Sequence, residues 1–174
     1  ENLNENKTKK LDADYLTSFL SKDGKLSKKI DNYEVREGQL GLVKAICKCF
    51  NQNIFGSFEA GTGIGKSFAY LIPSLSLISQ QEEKIIISTA TINLQNQLLQ
   101  KDIPLVLEML GMTEDDVKVA LVKGRSNYIC KRKLEEKIES THFFQKTFDI
   151  GIMGSEQKEI KILYEWSKES KTGD

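Results

Sequence analysis

The chain has 174 residues, and its 25 basic and 25 acidic side chains cancel. That length allows one domain with a substantial core, while the charge balance excludes a global basic field, so any nucleic-acid contact has to be local. No apolar run approaches the ~20 residues of a membrane span, no signal-peptide pattern opens the sequence, and three cysteines make no disulfide framework, which points to a reducing cytoplasm. The first residue is Glu1, not methionine, and the expectation is a piece of something larger. Residues 1–14 read as a disordered lead-in or linker, because the first ten are nearly all Asn, Glu, Lys and Thr with little to bury.

From Tyr15 a short helical pattern carries Leu16, Phe19 and Leu20 up to the turn signal Lys22-Asp-Gly-Lys25. Gln39 to Asn51 reads as a helix, since Val43, Ile46, Cys47 and Phe50 recur at spacings of three and four. Cys47 sits on that apolar face as a small hydrophobe; Cys49 points elsewhere, and both are assigned to structure.

Ile54 to Phe58 reads as a first strand, leading into Ala60-Gly-Thr-Gly-Ile-Gly-Lys-Ser67 and then a helix over Phe68 to Leu77. Strand, glycine-rich turn and helix form the order a triphosphate-binding loop needs. Backbone N–H groups across Gly61, Thr62, Gly63, Ile64 and Gly65 converge on phosphate oxygens, and the helix turns its positive end to the same place. Lys66 reaches the β- and γ-phosphates of ATP, and the Ser67 hydroxyl holds Mg²⁺. Ala60 stands where the general pattern has glycine, so that position must take a conformation open to alanine. A glycine-rich surface turn with a chance lysine is the plain alternative.

A second strand follows at Lys84-Ile-Ile-Ile-Ser88, its unbroken apolar run suited to burial on both faces of a parallel sheet. A helix over Asn93 to Gln100 comes next. Pro104 breaks or restarts the chain before a helix over Leu105 to Leu110, closed by Gly111. The acidic turn Thr113-Glu-Asp-Asp116 introduces a third strand, Val117 to Val122. Strands alternating with helices indicate an α/β fold with a parallel sheet flanked by helices. Beyond Gly124 the chain turns to charged helices, Asn127 to Ile138 and Ser155 to Ser167, joined by the segment around Phe143 to Gly154. His142, the single histidine, lies beside Phe143 and Phe144 and is assigned no chemistry; Trp166 reads either as a core residue of this C-terminal region or simply as part of a helix face with Ile162 and Leu163.

Read together, four stretches resemble the DinG-type branch of the XPD-like superfamily 2 iron–sulfur DNA helicases, over roughly Leu20 to Asp174. The loop in its Ala-x-x-Gly-x-Gly-Lys-Ser form resembles the first motif of superfamily 1 and 2 helicases. Tyr33-Glu-Val-Arg36-Glu-Gly-Gln39 resembles the family's upstream signature, which implies that Gln39, with Arg36, reads adenine. A carboxamide donates and accepts at once, as the N6 and N7 edge of adenine requires. A polar first turn of a helix is the plain reading of the same residues.

Ser88-Thr-Ala-Thr-Ile-Asn-Leu-Gln-Asn-Gln-Leu-Leu99 resembles motif Ia, which implies that Thr89, Thr91 and Asn93 lie against single-stranded DNA. An ordinary helix cap explains the same hydroxyls, and both can hold together. Val122-Lys-Gly-Arg-Ser-Asn-Tyr-Ile-Cys130-Lys-Arg-Lys-Leu-Glu135 resembles the stretch carrying the first of four cysteine ligands to a 4Fe-4S cluster. On that resemblance Cys130 is a ligand, and Lys123, Arg125 and Tyr128 contact DNA; without it, a lone cysteine and a solvated basic face would suffice.

The resemblance implies a RecA-like P-loop NTPase: a partial first motor domain over 15–124 and the start of the iron–sulfur insert over 125–174. Three further cysteines should follow Cys130, and none does. A Walker B carboxylate pair should close a buried strand, yet Glu82-Glu83 and Asp115-Asp116 precede strands instead. The expectation is a fragment of a monomeric, ATP-dependent DNA helicase that translocates 5′ to 3′ in full length with ATP, Mg²⁺ and the cluster. The fragment itself is expected to bind nucleotide weakly at best and to turn over little. The alternatives are a non-catalytic nucleotide- or DNA-docking module and a small P-loop kinase; a kinase would need its own acid at a strand end and an arginine-bearing lid.

Overall fold

The computed structural model describes residues 10–81, 83–148 and 155–173, with side chains at 141–157 left aside. The lead-in over 1–9, the segment 149–154 and the side chains of His142, Phe143 and Phe144 therefore lie outside the described residues. The chain divides into two compact units, Glu1–Leu121 and Val122–Asp174.

In the first unit, helix α1 (Ala13–Ser18) starts where the Asp12 carboxylate accepts from the Tyr15 N–H at 3.0 Å. Order begins before residue 15: Leu11 is buried, its N–H donating to Asn51 Oδ1 at 2.8 Å and its carbonyl accepting from Asn51 Nδ2 at 2.9 Å. Helix α2 (Glu37–Gln52) buries Gln39, Val43 and Cys47, four residues apart on one face, and ends at Asn53 in the left-handed conformation.

Helix α3 (Lys66–Gln81) buries every residue from Leu71 to Leu77 and packs on α2 and α5. A helix apolar all round belongs in a core, and burial lets it run on through Pro73, which lacks a donor for the ladder. Helix α4 (Ile92–Gln97) starts at Thr91, whose Oγ1 accepts from the Leu94 N–H at 3.3 Å.

The chain does not break before Pro104. A π-helical turn over Leu98–Asp102 runs directly into α5 (Ile103–Leu110), with the proline in the first turn, where the missing N–H costs least. Gly111 ends α5 in the left-handed region, as the sequence predicts. The core gathers Leu16, Leu20, Val43, Leu71, Ile72, Val106 and Met109 from α1, α2, α3 and α5 and the loop after α1.

The three segments read as strands take no regular secondary structure, and no β-ladder forms among the described residues. Phe55, Ile86 and Val122 are fully or largely exposed, although Val117 is buried. An extended segment satisfies its backbone only against a neighbour, and without a ladder these segments do not gain the regular pairing of a sheet.

In the second unit, a 3-10 turn (Arg125–Asn127) precedes α6 (Lys131–Phe148) and α7 (Ser155–Glu169), which pack on each other. The Ile129 N–H donates to the Gly173 carbonyl at 2.8 Å, so the residue before Cys130 meets the segment following α7. No helix among the described residues is long and apolar enough to cross a membrane.

Candidate functional site

The glycine-rich loop meets the helix it was expected to open. Because α3 begins at Lys66, the N–H groups of its first turn have no intrahelical partner and carry the positive end of the helix. Gly63 and Gly65 both stand at φ 82°, a region in which a side chain is strained. Ala60 has no positive φ, which is why alanine serves at that position.

Gly65 is fixed twice over. A Cβ built there would lie 2.3 Å from Gln39 Nε2. That same nitrogen donates to the Gly65 carbonyl at 2.8 Å, so α2 is fastened to the loop through one side chain. Gln39 is only 2 % exposed, and its Oε1 is buried with no hydrogen-bond partner. Leaving such an acceptor unmet costs about 1–3 kcal/mol, which a ligand N–H would recover. The Arg36 guanidinium flanks the same glycine, with Nη1 3.6 Å from that built Cβ position. Arg36, Gln39 and Gly65, predicted as one site, are thus brought together.

Lys66 folds back across the loop. Its Nζ donates to the carbonyls of Ala60 at 2.9 Å and Gly61 at 2.8 Å. The ammonium is held within the loop by neutral acceptors, which a polyphosphate oxygen outcompetes as a charged one. The next residue, Ser67, precedes Tyr70 by three positions on α3. Burial above all pushes the Tyr70 phenol above its usual range. Asp102 is 2 % exposed, and its Oδ2 accepts from Gln97 Nε2 at 2.9 Å.

The donor set suits Mg²⁺ bound together with nucleotide: one serine hydroxyl at a helix start, leaving phosphates and water to complete the shell. At the start of α4, Thr89 Oγ1 donates to the Thr91 carbonyl at 3.2 Å, while Thr91 Oγ1 caps the helix. The Thr91 hydroxyl therefore keeps its own hydrogen to donate, and Asn93 is exposed beside it.

In the second unit, the Tyr128 hydroxyl accepts from the Lys123 N–H at 2.8 Å, and the turn between them holds exposed Arg125. Cys130 is exposed immediately before α6. It stands without further ligands: among the described residues no group of three or more His, Cys, Asp or Glu side chains is placed to hold a metal. Cys47 is buried, its thiol pushed up to about 11 chiefly by desolvation. An iron–sulfur cluster takes four protein ligands, so the residues present do not fit one.

The buried Asp102 escapes the motif-based reading. A signal existed: Leu98, Asp102 and Val106 fall at i, i+4 spacing, which sets a carboxylate in the middle of an apolar stripe.

Comparison with known proteins finds relatives over most of the chain. It is 35 % identical over 161 residues to "ATP-dependent DNA helicase YoaA" of Haemophilus influenzae, covering 91 % of this chain and 22 % of that protein. It is 30 % identical over 145 residues to "ATP-dependent helicase DinG" of Mycobacterium tuberculosis, covering 80 % of this chain and 22 % of that protein. It is 32 % identical over 149 residues to "3'-5' exonuclease DinG" of Bacillus subtilis, covering 86 % of this chain and 15 % of that protein. The chain thus spans about a fifth of the length of these relatives or less. No protein-family profile matches the chain, and no solved structure matches it.

Proposed function

Because the chain is a relative of the DinG-type and YoaA ATP-dependent helicases, we propose that it is the nucleotide-binding part of such a motor. Residues 60–67 take the triphosphate of ATP, with the first-turn N–H groups of α3 on its oxygens. Lys66 exchanges the carbonyls of Ala60 and Gly61 for the β- and γ-phosphates. Ser67 holds Mg²⁺, which when bound neutralises charge on those phosphates. Gln39 offers its unmet Oε1 to the adenine amine while its nitrogen keeps the loop in register, and Arg36 lies alongside.

In the whole protein the three apolar segments at 54–58, 84–88 and 117–122 pair as strands of a RecA-like parallel sheet. Their length and composition support this, and so does the helical core already formed beside them. Thr89, Thr91 and Asn93 lie against the phosphates of single-stranded DNA, as do Lys123, Arg125 and Tyr128. In the whole protein, a monomeric cytoplasmic enzyme, ATP turnover drives 5′ to 3′ translocation. In the sequence the acid pairs Glu82-Glu83 and Asp115-Asp116 precede the apolar segments instead of closing them, so the chain binds nucleotide without sustained turnover.

One observation carries this reading: a loop with two left-handed glycines feeding α3 directly, braced by a buried glutamine that keeps a free acceptor. Titration with mant-ATP tests it. Lys66→Ala is expected to weaken binding at least tenfold, since charge-assisted hydrogen bonds to phosphate are lost. ATP is expected to outcompete GTP, whose O6 cannot donate to Gln39. Equal affinity in wild type and Lys66→Ala would sink the proposal.

A second reading, a docking module that binds DNA without nucleotide, draws on the spare donor of Thr91. It predicts salt-sensitive single-strand binding with no response to mant-ATP.

A further inference from the structure

We propose that Tyr33 is a positioning residue for the base end of the nucleotide site: its phenol, hydrogen-bonded to the loop after α1, fixes where α2 begins and so where Arg36 and Gln39 stand. This rests on the reading of residues 60–67 as a nucleotide loop with Gln39 at the adenine.

Three observations lead to it. First, the approach to α2 has one anchor. From Lys28 to Gly38 every residue is exposed except Tyr33, which is half-buried against the core of the first unit. Its hydroxyl donates to the Leu20 carbonyl at 2.8 Å, across 13 positions of sequence. Burial holds that phenol above its ordinary range, so it stays a donor at neutral pH.

Second, the acceptor stands on a rigid platform. Leu20 is buried, as are Phe19 and Leu26. The Leu26 N–H closes the loop onto the Phe19 carbonyl at 3.0 Å, and a Cβ built on Gly24 would lie 2.5 Å from the carbonyl oxygens of Ser18 and Phe19. Packing this close leaves the loop little slack, so a bond to it fixes a position.

Third, α2 lacks a cap of its own. Arg36 occupies the N-cap position, and its side chain makes no capping bond. The helix start is therefore not located by the usual local device, a short polar side chain on the first free N–H groups. Asn32 turns the chain at φ 54°, a left-handed conformation that asparagine tolerates, and Tyr33 follows it. The hold that a cap would give is supplied three residues upstream, by the phenol.

The groups assigned to the triphosphate lie on the loop and α3, whereas those assigned to the base, Arg36 and the unmet Gln39 Oε1, lie at the start of α2. Loss of the Tyr33 bond therefore loosens the grip on the base and spares the phosphates. A general loss of fold produces no such split.

Competition against mant-ATP tests it, with ATP, GTP and inorganic tripolyphosphate as competitors, for wild type and Tyr33→Phe. The substitution keeps the ring and removes the hydroxyl. ATP affinity is expected to fall about three- to tenfold, the span of one hydrogen bond. Tripolyphosphate is expected to stay level, and the preference for ATP over GTP to shrink. A fall shared equally by tripolyphosphate, an unchanged ATP-to-GTP ratio, or no fall at all overturns the inference and leaves nucleotide binding standing. Absence of mant-ATP binding in wild type overturns the loop reading, and equal affinity of wild type for ATP and GTP overturns the adenine reading; either result takes this inference with it.

Should Tyr33→Phe fail to fold, position 32 reads the same anchor. Asn32→Gly keeps the left-handed turn and is expected to leave the ATP-to-GTP ratio unchanged. Asn32→Val strains that turn and is expected to lower the ratio by a factor similar to that of Tyr33→Phe. A valine variant with the wild-type ratio overturns the inference.

Discussion

Two sets of apolar residues in the first unit have similar composition and opposite fates. Val43, Leu71, Ile72, Val106 and Met109 on the helices are 0 % exposed, whereas Phe55 is at 106 % and Ile86 at 94 % in the segments between them. The difference is one of backbone. A helix closes its own hydrogen bonds and needs only a face to pack on; an extended segment needs a second chain segment before burial becomes affordable. Helical cores form from local contacts, while strand pairing waits on partners distant in sequence.

The sharpest test of that contrast is stability. Leu71→Ala is expected to cost about 2–5 kcal/mol in urea unfolding, the range for emptying a closed core site. Ile86→Thr should stay within about 0.5 kcal/mol, as exposed substitutions do. A comparable loss at Ile86 would break the comparison and mean that the segment is packed in solution.

Gly65→Ala comes next. It forces a side chain into a left-handed position and against Gln39 Nε2, with an expected cost of about 1–3 kcal/mol and loss of mant-ATP binding.

Thiol chemistry sharpens the contrast without substitution. At pH 8 exposed Cys130 is expected to react with iodoacetamide in the native chain, and Cys47, held near 11, only on unfolding.

The smallest effect concerns Asp116, whose carboxyl is held below its ordinary 3.8 by the Thr113 N–H and hydroxyl at 2.7 and 2.9 Å. A lowered pKa gives stability that is present above the unfolded value and lost as pH falls through the folded one. The gap in urea midpoint between wild type and Asp116→Asn should therefore be open at pH 6 and close as pH drops below that 3.8.

Periodicity made α2 and α3 legible: the predicted spans, 39–51 and 68–77, fall inside Glu37–Gln52 and Lys66–Gln81. The loop was legible because its chemistry is written in glycine spacing and one lysine. Pro104 misled, since a proline reads as a break unless the preceding helix shifts its hydrogen-bond register, and sequence carries no mark of a π-helical turn. The bond from Gln39 to Gly65 was also hidden. A motif names the residue that meets a ligand, but the second partner lies 26 positions away and is revealed only by packing. Asp102 went unread for the opposite reason, as one acid in an apolar stripe invites dismissal as noise.

The short tie between Ile129 and Gly173 carries a practical consequence. Everything from α6 to the end of α7 departs and returns through neighbouring peptide groups, so the closing of that excursion is settled locally. Such a detour can be trimmed, exchanged or lengthened with little strain on whatever it springs from. A bridge of a few glycines and serines across those two positions would retain the Lys123–Tyr128 turn, and a reporter spliced between them would ride on an anchorage already provided.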